Sequence, residues 1–158
     1  MDYGFNTETL KQSAIKEISR FAAGAYGEDG TSLFDAMKVT SRDEETLVEY
    51  IDDGISAICV RLFDVATKKD NSIQFNVPDY DASLDDEIQK ELDRYLKYNA
   101  CALWLTDKNS AESERYAKRA VASLDKAHLM LKSRKMREIC LTDGPFPRPG
   151  WRQNEVKI

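Results

Sequence analysis

Apolar residues recur at intervals of three and four along four stretches of this chain, which is the spacing of amphipathic helices. The predicted long helices span residues 7–23, 42–67, 84–106 and 111–137, and a short helical turn is predicted over 31–38. A residue that can cap a helix lies at the start of each long one: Thr7 or Thr9, the Ser41–Glu44 capping box, Ser83, and Asn109 or Ser110. This pattern predicts a mainly α-helical bundle of three or four long helices with a minor β element.

The same spacing identifies the side chains that face the core of the bundle. They are Leu10, Ala14, Ile18, Phe21 and Ala22 in the first helix; Leu47, Ile51, Ile55, Ile58, Leu62 and Val65 in the second, widened by Val48, Cys59 and Phe63; Leu84, Ile88, Leu92, Tyr95, Leu96 and Leu103 in the third, flanked by Cys101 and Trp104; and Tyr116, Ala117, Ala120, Val121, Leu124, Ala127 and Leu131 in the fourth. Gly54 interrupts the second stripe and costs up to about 1 kcal/mol against alanine. A close crossing by another helix would explain a glycine at this position.

A single strand is predicted between the second and third long helices. Ile73, Phe75 and Val77 alternate with polar residues, which is the period of a half-buried strand, and Pro78 ends it. The polar segment 68–72 before it is predicted to be a loop. Because a lone strand leaves its backbone donors and acceptors unpaired, we expect a partner from the C-terminal segment or from a neighbouring copy of the chain.

The C-terminal segment differs in kind from the rest of the chain. Three prolines between positions 145 and 149 exclude a helix or a central strand and predict an extended, polyproline-like arm. The predicted organisation is therefore a helical domain over 1–138 and an arm over 139–158. Phe146 and Trp151 are too large for so short a segment to bury, and a stiff arm loses little entropy on docking. The candidate partner-binding residues are Pro145, Phe146, Pro147, Arg148 and Trp151; the alternative is an arm that folds back over its own bundle.

Composition places the chain among globular proteins. At 42% hydrophobic residues it can bury a substantial core, which excludes a disordered chain, and three cysteines in 158 residues exclude a disulfide-stapled miniprotein. The sequence has no apolar run of the roughly 18 residues that span a bilayer, and its first residues are not those of a secretory signal. We therefore expect a soluble protein in a reducing compartment, with no membrane partner.

Charge is distributed unevenly along the chain. Residues 1–107 contain 22 acidic and 11 basic residues, whereas residues 108–158 contain 6 acidic and 12 basic residues. The two balances of −11 and +6 give the net charge of −5. Opposite charges suit copies that meet head to tail, or a basic segment that meets an anionic partner. A solvated helix surface without a partner is the alternative.

The last predicted helix carries many of the basic side chains. Arg115, Lys118 and Arg119 form a patch at spacings of three and four, and Arg134 lies further along the same helix. These residues are candidates for contact with DNA or for charge pairing between subunits. A dedicated nucleic-acid-binding protein is usually basic overall, whereas this chain has a pI near 5.0. A helical module that binds duplex through this helix is therefore the alternative hypothesis.

Catalytic and metal-binding patterns are poorly supported. The only histidine, His128, lies beside the apolar stripe of the last helix, no nucleophile-elbow motif is present, and no pair of cysteines has the spacing of zinc ligands. The acidic stretch 79–87 resembles the start of a calcium loop, but Leu84 and Lys90 replace the required Gly and Glu. We expect no catalysis, no cofactor and no metal; an enzyme would need a pocket that converges on His128 or on the acidic stretch.

One stretch of the sequence resembles a known family. Residues 33–55 read LFDAMKVTSRDEETLVEYIDDGI. In this run a leucine is followed, after a few residues, by an acidic pair, a second leucine and an isoleucine, and the run leads into the principal helix. This run resembles the opening of head–tail connector proteins of tailed bacteriophages, in the adaptor or head-completion group. The order of a long helix, a loop with a strand and two further long helices is also similar, and the likeness covers residues 33–137.

The resemblance implies a small helical virion protein of the head–tail junction, made in the cytoplasm of the host bacterium. Such proteins form a ring of about a dozen copies between the portal and the tail or neck protein, which extends the channel for packaged DNA. Carried over by position, Pro145, Phe146, Pro147 and Trp151 belong to a docking arm, because terminal segments in the family contact the portal or a neighbouring copy. The surfaces of opposite charge would meet between subunits, and no catalytic residues come with the family.

Overall fold

The computed structural model describes residues 1–62, 65–78 and 81–133. In chain order, the elements within these residues are β1 (Asp2–Gly4), α1 (Thr7–Ala22), α2 (Phe34–Met37), α3 (Glu44–Arg61), β2 (Ala66–Lys69), β3 (Ser72–Phe75), a 3₁₀ turn (Ala82–Leu84), α4 (Asp85–Leu105) and α5 (Ser110–Lys132). The predicted mainly α-helical fold with a minor β element is confirmed. The predicted arm, and the predicted last helix beyond Ser133, lie outside the described residues.

The four long helices enclose one apolar core, and α4 lies at its centre because it contacts α1, α3 and α5. Ile88, Leu92, Leu96 and Leu105 of α4 are fully buried. Burying a side chain of this size contributes about 1.5–3 kcal/mol to folding. α5, which carries the predicted interface residues, therefore packs against a rigid helix.

Some of the side chains predicted to face the core lie elsewhere. Leu103 and Val121 are 39% and 38% exposed, and Ala117 is also exposed. The predictions for these three residues were wrong because the width of a buried face is set by the neighbouring elements, and α5 packs chiefly against α4. Val65 lies beyond the end of α3, but its side chain is partly buried against the core. Phe63 lies outside the described residues; the other predicted core side chains are buried or partly buried.

The predicted strand finds both of its partners in its own chain. β3 is the central strand of a three-stranded antiparallel sheet in the order β1–β3–β2, with Tyr3 opposite Ile73 on one side and Lys68 opposite Ile73 on the other. Ile73 and Phe75 are buried and hold the sheet on the helical core. Because both edges of β3 are occupied, the expected pairing with the C-terminal segment or a neighbouring copy is wrong.

The second long helix ends earlier than its apolar pattern predicts. α3 stops at Arg61, and the chain then forms β2, a turn at Asp70 and Asn71, and β3. Asp70 has a φ of 51°, in the left-handed region that a short polar side chain tolerates in a tight hairpin turn. The segment predicted to be a loop over 68–72 is thus the end of a hairpin. Apolar spacing did not locate the helix end because Val65 suits a strand as well as a helix.

Asparagine side chains cap the first and last long helices. The side-chain oxygen of Asn6 accepts a hydrogen bond from the Thr9 amide at 3.0 Å, so the predicted cap at Thr7 or Thr9 is wrong. Asn109, one of the two caps predicted for α5, accepts a hydrogen bond from the Glu112 amide at 3.1 Å. Each cap satisfies a backbone donor that the helix itself leaves unpaired.

We expect Asn6→Ala to lower the free energy of unfolding by about 1 kcal/mol, because the Thr9 amide loses its acceptor. Thr7→Ala is the control at the neighbouring predicted cap, and it should change stability by less than about 0.5 kcal/mol. Urea denaturation followed by far-UV circular dichroism measures both. An equal loss in the two variants would contradict the assignment of the cap to Asn6.

Aspartates hold the backbone in front of α3 and α4. Asp43 accepts hydrogen bonds from the Thr40 amide and hydroxyl at 3.0 and 2.6 Å. Asp81 accepts hydrogen bonds from the Ser83 amide and hydroxyl at 3.0 and 2.7 Å, at the 3₁₀ turn that leads into α4. The predicted caps at Ser41 and Ser83 are therefore wrong, because a carboxylate, the stronger acceptor, stands nearby in each case.

Gly54 lies where α3 crosses α4. A Cβ atom at this position would stand 2.9 Å from Leu96 Cδ2 and 3.3 Å from Asn99 Nδ2. Leu96 is fully buried, and because buried side chains are closely packed, displacing it costs free energy. The close helix crossing predicted from this glycine is confirmed.

Candidate interface on the last helix

α5 has one fixed face and one free face. Tyr116, Ala120, Leu124 and Ala127 are buried on the side that packs against the bundle. The Ser113 hydroxyl, in the first turns, donates to a carbonyl oxygen near the end of α4 at 2.8 Å. The opposite side of α5 is open to solvent, and the predicted interface residues of the described chain lie on it.

Two of the predicted cations are paired within α5 itself. The Arg115 guanidinium lies 3.4 Å from the Glu112 carboxylate, and Lys118 Nζ lies 2.7 Å from the Glu114 carboxylate. The hydrogen bond from Lys118 holds the pKa of Glu114 below its ordinary value. Exposed pairs of this kind contribute little to stability, so they can be exchanged for contacts with a partner.

Arg119 is held against aromatic rings instead. Its guanidinium carbon lies 5.6 Å from the centroid of the Tyr116 ring and 6.0 Å from that of Tyr98. Lys97 Nζ lies 4.4 Å from the Tyr98 centroid. No carboxylate of the described residues forms an ion pair with Arg119. Its charge is thus available to a partner while the rings restrict its side chain; Arg134, the fourth predicted cation, lies outside the described residues.

Tyr116 anchors this cluster to the bundle. Burial raises the pKa of Tyr116 to about 12, and the negative charge of Glu17 adds to the effect. The Tyr116 hydroxyl donates to the Glu17 carboxylate at 3.4 Å. Because the phenol stays protonated at neutral pH, it acts as a permanent donor that joins α5 to α1.

A buried carboxylate joins α4 to α5. Glu91 is 2% exposed, and its Oε1 accepts hydrogen bonds from Arg94 and Lys126, both at 2.6 Å. Burial alone would raise the pKa of Glu91, but the hydrogen bond from Lys126 and the charges of both cations outweigh it and hold the pKa below its ordinary value. The contact was not predicted from the sequence, although Glu91 stands three residues after Ile88 and one turn before Tyr95, on the buried stripe.

Apolar side chains are exposed on α5 as well. Val121 is 38% exposed and Leu129 is 69% exposed. Asp125 lies midway between them, one helical turn from each, and its carboxylate is 3.7 Å from the Arg61 guanidinium of α3. We call Val121, Asp125 and Leu129 the α5 ridge. It presents an anion between two apolar side chains. The apolar pattern does not predict this arrangement, because it assigns Val121 to the core and leaves Leu129 outside the stripe.

His128 and Cys101 are both uncharged at neutral pH. Burial, reinforced by the charge of Lys132, lowers the pKa of the partly buried His128. Burial raises the pKa of the Cys101 thiol to about 12, so no reactive thiolate forms. In the part of the chain that the structure describes, no cluster of His, Cys, Asp and Glu has the geometry to hold a metal ion. Asp79, where the calcium-like stretch begins, is outside that part.

Comparison with known proteins gave no match to a family model, to a curated protein or to a solved structure. Among the helices described here, none has the length and apolar character needed to cross a membrane. The arm residues predicted to bind a partner, Pro145, Phe146, Pro147, Arg148 and Trp151, lie outside the described residues. The candidate site that the structure does describe is therefore the outer face of α5.

Proposed function

We propose that this protein is a structural component of a bacteriophage virion, a head–tail connector that forms a ring between the portal and the tail. The ring extends the channel for packaged DNA, and the protein acts through its shape and its interfaces rather than by catalysis. The observation that supports the proposal is the order of elements after residue 33, where α3, a connection that contains strands, α4 and α5 follow one another. This order is similar to the long helix, loop with a strand and two further long helices of the family that residues 33–55 resemble.

Some of the residues that carry the resemblance are buried in the core, and others are exposed on the surface. Leu47, Ile51 and Ile55 are buried in the core, so they define how α3 packs in the bundle. Asp52 and Asp53 of the same run are exposed, like most acidic residues of the first two-thirds of the chain. This division is suited to a subunit with a fixed helical body and an acidic outer surface that meets a basic surface on the next copy.

The charges on α5 favour a protein partner over a nucleic acid. A phosphate that approaches Arg115 or Lys118 also meets the carboxylates of Glu112 and Glu114, which repel it. A neighbouring subunit can place its own acidic and basic side chains in register with these four groups. Leu129 adds an exposed apolar contact that a duplex backbone would not use.

The partners follow from the proposed position in the virion. Each subunit contacts copies of itself in a ring of about a dozen, the portal protein above the ring and the tail or neck protein below it. The arm, with Phe146 and Trp151, is the proposed docking segment. Packaged DNA passes through the channel of the ring.

The test uses the purified full chain together with the portal protein of the same phage. Multi-angle light scattering and negative-stain imaging, at several protein concentrations, measure the mass and shape of the particles formed. We expect a ring-sized species, present at least when the portal is added, and a ring seated on one face of the portal.

Two outcomes would count against this function. A monomer at every concentration, with no portal binding, would contradict the connector assignment. Duplex DNA binding that weakens steeply with salt and is lost when Lys118, Arg119 and Arg134 are replaced would instead support the nucleic-acid-binding module.

A further inference from the structure

We propose that the α5 ridge is the docking site for residues 146–151 of a neighbouring copy of this chain. The inference rests on the proposed function, because it names the contact by which one subunit of the ring holds the next. It is carried by three properties of the described residues: the exposure of the ridge, its rigidity and its pattern of apolar and charged groups.

The ridge is exposed but rigidly supported. Leu129 exposes 69% of its surface, while Leu124, Ala127 and Leu131 beneath the ridge are buried in the core. A preformed surface loses little conformational entropy when a partner binds. The ridge is thus an apolar surface on which a short segment can dock without reorganising the bundle.

The length of the ridge matches the length of the segment. Val121 and Leu129 are eight residues apart, which is about 12 Å along a helix axis. Phe146 and Trp151 are five residues apart, which is about 15 Å in the extended conformation that the prolines predict. The two aromatic side chains can therefore contact the two apolar side chains at the same time.

The charges of the ridge and the segment are complementary. Asp125 lies midway along the ridge, and Arg148 lies between the two aromatic residues of the segment. The present partner of Asp125 is Arg61 at 3.7 Å, and both side chains of this pair are about half exposed. Because an exposed ion pair at this distance contributes little to stability, Arg148 can join or replace Arg61 beside Asp125 at a small cost in free energy.

The chain between the bundle and the segment is long enough to reach a neighbour. Twelve residues, 134–145, separate the last described residue from Phe146. The last helix is predicted to run to residue 137, and the eight residues 138–145 alone reach about 26 Å when extended, whereas a helix with its side chains is only about 10–12 Å wide. Each subunit would give its arm to one neighbour and receive an arm on its ridge from the other, the head-to-tail contact that closes a ring.

The first test compares two substitutions of an exposed apolar residue by aspartate in the full chain. Leu129→Asp places a second anion on the ridge and removes an apolar contact, so we expect the self-association constant to fall about tenfold or more. Val60→Asp is the matched control, because Val60 is 75% exposed on α3. Sedimentation velocity measures association, and circular dichroism checks that both variants fold.

The second test asks whether the contact joins two different copies. Leu129→Asp keeps its arm but loses its ridge, whereas the Phe146→Ala/Trp151→Ala variant keeps its ridge but loses its arm. We expect each to remain monomeric alone and the two to form a heterodimer when mixed. If neither variant complements the other, the segment docks on its own bundle or elsewhere, and the proposal is overturned.

The failure of this inference can be told apart from that of the proposed function. If Leu129→Asp assembles as well as the unmodified chain, the ridge is not the docking site, while the connector function stands. If the unmodified chain never assembles, even with the portal, both proposals are overturned.

Discussion

We expect Gly54→Val to lower the free energy of unfolding by about 3 kcal/mol. Helix propensity alone predicts a small gain, because valine is a better helix former than glycine. Packing opposes it, since even a Cβ atom would stand 2.9 Å from Leu96 Cδ2, and valine adds two methyl groups. We therefore expect the packing cost at the helix crossing to exceed the gain in helix propensity.

Chemical denaturation of Gly54→Val, Gly54→Ala and Gly4→Val measures this effect with a matched control. Gly54→Ala adds only the Cβ atom, so its loss should be smaller, about 1 kcal/mol. Gly4→Val makes the same chemical change at an exposed strand position where a Cβ atom meets nothing within 4 Å. A Gly54→Val variant as stable as Gly4→Val would show that α3 and α4 cross at a greater distance than described.

The helices could be predicted from the sequence because their buried faces repeat every three or four residues. Ile51, Ile55 and Ile58 each stand one turn apart, and each is buried in α3 as the pattern indicates. The break at Gly54 even indicated a crossing, because a glycine within such a stripe has a cost that only a packing contact offsets. Local periodicity is thus a reliable signal where one continuous segment makes the contact.

The sheet could not be predicted in this way, because its contacts join segments distant in sequence. β1 covers only Asp2–Gly4, too short for an alternating pattern, and it is held by pairing with β3 about 70 residues later. The Tyr3 hydroxyl also donates to the Asp85 carboxylate, at 2.6 Å, at the start of α4. Neither contact leaves a signal in the local sequence on either side.

For the candidate site, the exposure of the cations could be predicted from the sequence, whereas their partners could not. The exposure of Arg115, Lys118 and Arg119 followed from the helical pattern, since they lie off the apolar stripe. Their partners did not, because which cation pairs with a carboxylate and which with a ring depends on how α5 packs against α4. Lys126 illustrates the point, since nothing in its position on α5 reveals that it is bound to a buried carboxylate of another helix.

We expect Glu91→Gln to lower the free energy of unfolding by about 2 kcal/mol at neutral pH. The glutamine has the shape of the glutamate but lacks the charge that holds Arg94 and Lys126 at 2.6 Å. Both cations remain about half exposed and keep water contacts, so the loss is smaller than for a fully buried pair. Glu87→Gln, one turn earlier in an exposed pair with Lys90, is the control and should cost less than about 0.5 kcal/mol.

The pH dependence of this loss identifies its electrostatic origin. The pKa of Glu91 is lower in the folded than in the unfolded chain, because the bonds from Lys126 and Arg94 outweigh the effect of burial. The stability that ionised Glu91 contributes is therefore fully present above the ordinary glutamate pKa of about 4.3. It disappears as the pH falls through the lower pKa that Glu91 has in the folded chain. Denaturation curves of the unmodified chain and of Glu91→Gln should then differ at neutral pH and converge in acid. A difference that does not change with pH would assign the loss to packing rather than to charge.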